Sequence, residues 1–157
     1  MEKGDNMESV QYIVVRKDLN MPIGKMISQC CHASVGSILQ RKIVTMVSFG
    51  EMMRQTEDIE ELKKLMKKYE RQVSLLDTPE TKSWLSGRFT KLVVYVKSEQ
   101  KLLNLSAKLD DLGVTNKLIY DAGRTVFNGE TTLTCMGIEP IEREKTPKCL
   151  KTLRLLD

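Results

Sequence analysis

The sequence lacks several features that would assign it to a structural class at once. Its uninterrupted apolar stretches are all far shorter than the roughly 20 residues that a transmembrane helix needs. It contains no internal repeat and no low-complexity tract, which excludes repeat architectures. It does not open with a charged, apolar and small-residue leader, so we expect no secretory signal.

Histidine and cysteine are also scarce. His32 is the only histidine, and the four cysteines have no zinc-finger spacing. Cys30 and Cys31 are adjacent, and neighbouring side chains on a helix point about 100° apart, so both can hardly ligate one ion. We therefore predict no metal and no cofactor. Adjacent cysteines are also a poor arrangement for a disulfide, which favours a reducing compartment, by default the cytoplasm.

What the chain does contain is an ordinary globular composition. Its 157 residues are 41% apolar and 29% charged, which suits one domain with one core. The net charge of +4 permits a nucleic-acid partner without requiring one. We expect residues 1–9 to be a disordered N-terminal tail and residues 10–157 to form the domain.

The first half of the domain predicts a strand followed by a helix. Gln11–Arg16 is rich in β-branched residues, and a helical pattern runs from Gly24 to about Gln40. Four apolar side chains recur at helical spacing and predict a buried stripe: Ile27, Cys31, Val35 and Ile38. The opposite side carries Lys25, Gln29, His32 and Gly36, so this helix is a candidate for a functional site.

The remaining elements predict an α/β fold. An amphipathic helix is expected over Thr56–Glu70. Ser98 can cap a further helix that ends at Gly113, and its buried stripe is predicted to be Leu102, Leu105, Leu109 and Leu112. Three more strands are expected, at Lys91–Lys97, Lys117–Tyr120 and Thr131–Ile138, and Leu153–Leu156 could form a last short edge element. This order predicts a single-domain three-layer sandwich, with a small mixed four-stranded sheet flanked by helices. The first crossover should be parallel, and the last two strands should be antiparallel around Asn128-Gly129.

Three sequence stretches together resemble the type 2 peptidyl-tRNA hydrolases of archaea and eukaryotes. VVRKDLNMPIGKMISQCCHASVGSIL resembles the family's opening strand and first helix, KLIYDAGRT its D-A-G-R-T loop, and TTLTCMGIEP its last strand. The match leaves out roughly residues 42–88, which we interpret as a helical insertion. Other details resemble a divergent branch, the peptidyl-tRNA hydrolase domain-containing proteins, although D-A-G-R-T is intact here.

The resemblance implies an enzyme that cleaves the ester between a peptide and the 3′-ribose of tRNA, and so recycles the tRNA. It implies peptidyl-tRNA as substrate, no membrane, and a homodimer as an open alternative. The residues that it carries over as catalytic are Lys25, His32, Asp121, Thr125 and Thr134. Those that it carries over as substrate-binding are Arg16, Asp18, Gln29 and Arg124.

Ester hydrolysis explains why such side chains would be needed. The reaction requires an oriented water, a donor for the developing oxyanion and help for the leaving oxygen. Asp121 can orient water or hold a neighbouring cation, and Lys25 can bind an oxyanion or a phosphate beside the helix N-terminus. The family's K-G-K reads Ile23-Gly24-Lys25 here, so its first lysine is missing. That loss leaves open a second function, a catalytically weakened tRNA- or protein-binding module on the same fold.

Overall fold

The computed structural model describes residues 8–42, 58–61, 64 and 72–157. In chain order, its named elements are β1 (Ser9–Arg16), a 3-10 turn (Lys17–Leu19), α1 (Ile23–Gly36), β2 (Leu39–Lys42), β3 (Gln72–Leu75), α2 (Pro79–Ser86), β4 (Lys91–Val96), α3 (Glu99–Asp111), β5 (Asn116–Asp121), β6 (Thr132–Ile138), β7 (Ile141–Glu142), α4 (Lys148–Lys151) and β8 (Arg154–Leu155). No helix among these residues is long and apolar enough to cross a membrane.

The main sheet is mixed, and its strand order is β5-β6-β1-β4-β8, with β7 pairing on β1. β1 and β4 are parallel, as the strand-helix-strand order predicts. β5 and β6 are antiparallel, which confirms the prediction for the last two long strands. Because β6 is also antiparallel to β1, the strands β1, β4 and β5 all run in one direction. Their carboxyl ends therefore share one edge of the sheet.

The predicted strand number is wrong, because the sheet has six strands within the described part of the chain rather than four. The two additional strands, β7 and β8, are only two residues long. β8 lies within the short edge element considered at Leu153–Leu156, whereas β7 is too short to show an alternation of apolar and polar residues. Each strand forms because the chain end folds back onto an edge or end of the sheet: Ile141 pairs with Val10, and Arg154 pairs with Tyr95.

Helices cover both faces of the sheet, which confirms the three-layer architecture. On one face, Val14 and Val94 pack with the α3 leucines Leu102 and Leu109. The capping prediction for α3 is confirmed, since the Ser98 hydroxyl accepts the Lys101 N–H. On the other face, alternate β1 residues such as Ile13 pack against α1. Burial on both faces explains why β1 is an almost continuous apolar run.

The predicted burial of the apolar stripe is wrong for its three residues on α1, which face outward, whereas Ile38, two residues beyond the helix, is buried as predicted. Ile27 and Val35 are 58% and 51% exposed, and Cys31 is exposed as well. They border an apolar cavity of about 650 Å³. The buried residues of α1 are instead the polar or small Gln29, Ala33 and Ser34. Helical periodicity shows that two faces differ, but it does not decide which of them meets the sheet.

Two further predictions fall mainly outside the described residues. Of the predicted Thr56–Glu70 helix, residues 59–61 and 64 are described and are helical. Residues 1–7 of the predicted tail are not described, whereas Ser9 already belongs to β1. The described chain divides into two compact units, Leu39–Leu75 and the part that carries the main sheet. In the smaller unit, β2 and β3 pair antiparallel.

Candidate active site

The candidate site lies at the edge of the sheet where the carboxyl ends of the parallel strands meet. Asp121 is the last residue of β5, and the chain leaving β1 enters α1, whose first turn contains Lys25. The two residues are 96 positions apart in sequence, yet their side chains form an ion pair of 2.6 Å between Lys25 Nζ and Asp121 Oδ1. Both side chains are largely buried, with exposed fractions of 15% and 13%.

The Lys25 ammonium has a second partner on the loop after β5. It donates a hydrogen bond to Thr125 Oγ1 at 3.1 Å. An ammonium group carries three N–H donors, and these two contacts with described residues use two of them. Phe127 lies on the same side, with its ring centroid 5.9 Å from Nζ. Lys25 is thus held in place while one N–H remains for a ligand.

Gln29, one turn further along α1, connects Asp121 to β6. Its Nε2 donates to Asp121 Oδ1 at 3.3 Å, and its Oε1 accepts from Thr134 Oγ1 at 2.7 Å. Gln29 is 3% exposed and Thr134 is fully buried, so this hydrogen-bond chain is shielded from water. Burial of an unpaired amide would cost about 1–3 kcal/mol, and these bonds avoid that cost. They explain why α1 buries a glutamine rather than its apolar stripe.

Close backbone packing fixes the distance between α1 and β6. A Cβ atom added at Gly137 would lie 2.0 Å from the Ala33 carbonyl oxygen, so only glycine fits there. The Cys135 thiol also donates to the Gln29 carbonyl oxygen at 3.3 Å. Burial raises the pKa of this thiol to about 12, so it stays protonated and can donate. The helix bearing Lys25 and Gln29 is therefore held directly against the strand bearing Thr134.

The D-A-G-R-T loop places a backbone donor on the remaining oxygen of the site carboxylate. Gly123 N–H donates to Asp121 Oδ2 at 2.9 Å. Gly123 has a φ of +75°, and a Cβ there would lie 2.3 Å from the Glu130 carbonyl oxygen. A residue with a side chain would be strained and would clash at this position. The glycine of the motif is needed for the loop to turn back onto Asp121.

The surroundings of Asp121 keep its carboxyl group ionised. The hydrogen bond from Lys25 is the largest influence lowering its pKa, and the Gly123 N–H also lowers it. Burial opposes this effect, while the charge of His32 makes a small contribution in the same direction as Lys25. A carboxylate with a depressed pKa is a weak base. Asp121 is therefore better suited to positioning Lys25 and a water molecule than to removing a proton by itself.

The start of α1 adds backbone donors to the same region. Its N-cap residue is Pro22, and no side chain within the described ranges caps the helix. The first N–H groups of an α-helix have no partner within the helix, and the helix dipole places partial positive charge there. An anionic group beside Lys25 would meet both the ammonium and these donors.

Of the other predicted site residues, His32 and Arg124 lie nearby but are not engaged. Both are exposed, and neither makes a side-chain hydrogen bond to the described residues. His32 is two turns along α1 from Lys25, on the same side of the helix. Arg124 precedes Thr125 in the loop. Each is free to contact a ligand.

Arg16 and Asp18 are brought together with each other rather than with Lys25. The Arg16 guanidinium donates to Asp18 Oδ2 at 2.8 Å, to Glu99 Oε2 at 2.6 Å and to the Leu133 carbonyl oxygen at 2.9 Å. Its pKa is raised, chiefly by the hydrogen bond to Asp18. Arg16 is 8% exposed, so these partners compensate for its burial. This cluster connects the end of β1 to the start of α3 and the start of β6.

Several contributors to the site were not among the predicted residues. Gly123 and Gly137 act through backbone geometry, and Phe127 lies beside Lys25. Gly137 could have been found from the sequence, because a glycine inside a predicted strand often marks a close approach of two backbones. The contact of Glu99 with Arg16 could not have been found in this way, because acidic residues are common in the first turn of any helix, where they stabilise the helix dipole.

Comparison with known proteins identifies relatives over nearly the whole chain. The family model for peptidyl-tRNA hydrolase PTH2 matches residues 9–156. The chain is 32% identical to a peptidyl-tRNA hydrolase of Methanothermobacter thermautotrophicus over 146 residues, covering 93% of this chain and 98% of the relative. It is 30% identical to a peptidyl-tRNA hydrolase of Methanococcus maripaludis, over 93% of this chain and 97% of that protein. A probable peptidyl-tRNA hydrolase 2 of Dictyostelium discoideum is 28% identical over 92% of this chain and 53% of its own length.

Proposed function

The chain belongs to the peptidyl-tRNA hydrolase PTH2 family, and we propose that it hydrolyses the ester joining a peptide to the 3′-ribose of tRNA. The observation that carries this proposal is the hydrogen-bonded chain from Lys25 through Asp121 and Gln29 to Thr134. Lys25 and Gln29 lie on α1, Asp121 and Thr134 lie about a hundred residues later on β5 and β6, and the two pairs meet at one edge of the sheet. The substrate class follows from the names of the relatives, and the chemistry follows from these side chains.

In this mechanism Lys25 stabilises the negative charge that develops on the ester carbonyl oxygen. Asp121 and Thr125 hold two of its three N–H donors, so the third points in a fixed direction. A donor that is already oriented does not need to reorganise during the reaction, which makes its contribution larger than it would be in water. The free N–H groups at the start of α1 support the same charge.

Asp121 orients the attacking water. A carboxylate offers about four acceptor positions, and Lys25, Gln29 and the Gly123 N–H occupy three of them. The fourth, on Oδ2, can accept a hydrogen bond from water. Because the pKa of Asp121 is lowered, the proton leaves the water only as the new carbon–oxygen bond forms.

The atoms balance as in any ester hydrolysis. The water oxygen bonds to the carbonyl carbon, the bond from that carbon to the ribose 3′-oxygen breaks, and one water proton ends on the ribose oxygen. Thr125 is exposed beside Lys25, and its hydroxyl can pass a proton because it both donates and accepts. His32 and Arg124, both exposed nearby, are proposed to contact the tRNA end of the substrate.

The comparisons support the hydrolase and give no support to the alternative of a weakened binding module. The missing first lysine of K-G-K is compatible with this conclusion. Ile23 occupies that position, at the first residue of α1, and is 76% exposed. Its replacement leaves the contacts of Lys25 with Asp121 and Thr125 in place.

The direct test is the release of free tRNA from an N-acetyl-aminoacyl-tRNA by the purified protein. We expect multiple turnovers, and we expect a Lys25→Met variant to lose most of the activity because it removes the ammonium but keeps an unbranched chain. A folded wild-type protein that releases no tRNA would contradict the proposal. The proposal also locates the protein in the cytoplasm, where it would meet peptidyl-tRNA. The homodimer, the domain boundaries and the insertion at about 42–88 remain predictions.

A further inference from the structure

A second feature of the same sheet edge is a cavity of about 260 Å³ on the side of β4 and β8. It lies between the end of β4, the first turn of α3 and the start of β8. We call it the basic pocket, because three of its seven lining residues carry positive charge: Lys97, Lys101 and Arg154.

The three cations of the basic pocket are exposed and have no ion-pair partner in the part of the chain that the structure describes. Two carboxylates of neighbouring segments have other ion-pair partners, since Glu99 pairs with Arg16 and Asp157 pairs with Lys17. Asp157 also interacts electrostatically with Arg154, so the positive charge of the basic pocket is partly compensated, and the excess that is left attracts anions.

The basic pocket and the candidate active site lie at the same edge of the sheet, the pocket beside α3 and the site beside α1, which pack on opposite faces. Lys97 directly follows β4, and Asp121 ends β5, and these strands run in the same direction. In the strand order β5-β6-β1-β4-β8, three to four strand spacings separate the two places. Measured along the sheet, at about 4.8 Å per spacing, this separation is roughly 14–19 Å. A stacked nucleic-acid strand advances about 3.4 Å per nucleotide, so the distance corresponds to roughly four to six nucleotides.

We propose that the basic pocket binds a backbone phosphate of the tRNA acceptor end while the ester lies at Lys25 and Asp121. The bound phosphate would be about four to six nucleotides from the esterified 3′ end. This inference rests on the proposed function and adds to it a second contact point. The pocket would position the tRNA without taking part in the chemistry, because phosphate contacts fix position and register.

The test compares two substrates that carry the same N-acetyl-aminoacyl ester, one on full-length tRNA and one on the 3′-terminal trinucleotide. The double variant Lys97→Gln/Lys101→Gln removes two charges of the basic pocket. The matched control, Lys108→Gln/Lys117→Gln, removes two exposed lysines from the last turn of α3 and the start of β5, at the opposite edge of the sheet. Both variants change the net charge equally.

We expect the pocket variant to raise KM for full-length tRNA about three- to tenfold, the range of an exposed charge-assisted contact. Its kcat should stay unchanged, and its KM for the trinucleotide should match that of the wild type. The slope of log KM against log salt should fall by about 0.7–0.9, as for one lost phosphate contact. The control variant should behave like the wild type on both substrates.

Three results would overturn the inference. These are an unchanged KM and salt slope in the pocket variant, an equal rise in its KM for the trinucleotide, or an equal rise in KM for full-length tRNA in the control variant. If the wild type hydrolyses neither substrate, it is the proposed function that fails. Binding of deacylated tRNA then decides about the basic pocket separately. A salt slope lowered only in the pocket variant would support it, and an unchanged slope would reject it.

Discussion

Replacement of Asp121 by asparagine tests the arrangement at the centre of the site, because it keeps the shape and removes the charge. Asp121 accepts from Lys25 and Gln29 on one oxygen and from the Gly123 N–H on the other. An asparagine can satisfy only one side. If the asparagine oxygen faces Lys25, its NH₂ group faces the Gly123 N–H. In the opposite orientation the NH₂ group faces the two side-chain donors, Lys25 and Gln29.

At least one donor is therefore left facing another donor, whichever way the amide turns. An unsatisfied buried donor costs about 1–3 kcal/mol, so Asp121→Asn should lower the free energy of unfolding by that amount. For a chain of this size that corresponds to a fall in Tm of roughly 2–10 °C. Because Lys25 also loses its fixed orientation, kcat should fall by about two to four orders of magnitude.

The assay is tRNA release from N-acetyl-aminoacyl-tRNA, with thermal unfolding measured on the same preparations. Asp111→Asn is the control, since it removes one exposed carboxylate at the end of α3. It should leave both activity and Tm close to the wild-type values. A folded Asp121→Asn protein whose activity is within a few-fold of wild type would refute the role given to this residue.

The ion pair also predicts that the stability difference between the wild type and Asp121→Asn depends on pH. The folded pKa of Asp121 is lowered, so its ionised form stabilises the native state above the ordinary aspartate pKa of about 3.9. This contribution is lost as the pH falls through the lower, folded pKa. The difference in free energy of unfolding between wild type and Asp121→Asn should be constant near neutral pH and should shrink below about pH 4. A difference that stays constant into strong acid would contradict the ion pair with Lys25.

Three further substitutions test other contacts. Thr134→Val keeps the side-chain shape but removes the donor to Gln29, so the free energy of unfolding should fall by about 1–3 kcal/mol and kcat by about tenfold. Thr132→Val, on the same strand, is the control. An unchanged kcat in Thr134→Val would show that the position of Gln29 does not matter for catalysis. Gly137→Ala places a methyl group against the Ala33 carbonyl oxygen and should cost about 1–3 kcal/mol or prevent folding, as circular dichroism and thermal unfolding would show. Ile23→Lys restores a cation at an exposed position and should raise kcat/KM about tenfold, the equivalent of ~1.4 kcal/mol. If the variant folds and kcat/KM does not rise, the missing lysine does not limit the activity of this protein.

The order of elements could be predicted from local sequence because each long element has its own pattern. β1 and β4 are apolar runs, Ser98 and Gly113 mark the ends of α3, and D-A-G-R-T begins at the last residue of β5. Leu112 is the exception in the α3 stripe, since it is 56% exposed beyond the last helical turn. The resemblance of three motifs to the family supplied most of the candidate site residues, and the roles of these residues are proposals.

The tertiary structure alone decided which face of α1 is buried. Spacing showed an apolar stripe through Ile27 and Val35, and hydrophobicity favoured burying it. The helix turns the other way because Gln29 finds partners on β5 and β6, and because Ala33 fits against Gly137. Neither hydrogen-bond partners nor close backbone contact can be read from one helix, since both depend on residues about a hundred positions away.

The same reason separates the roles of the charged residues. By resemblance, Lys25 and Asp121 were predicted to be catalytic, and Arg16 and Asp18 were predicted to bind substrate at the same site. In the fold, the first two form an ion pair beside an open helix end, while Arg16 forms ion pairs with Asp18 and Glu99 instead. The sequence by itself determined which ionisable groups the chain carries and the strands and helices that carry them. Only the folded sheet determined which charges meet, because pairing depends on distances that strand order sets.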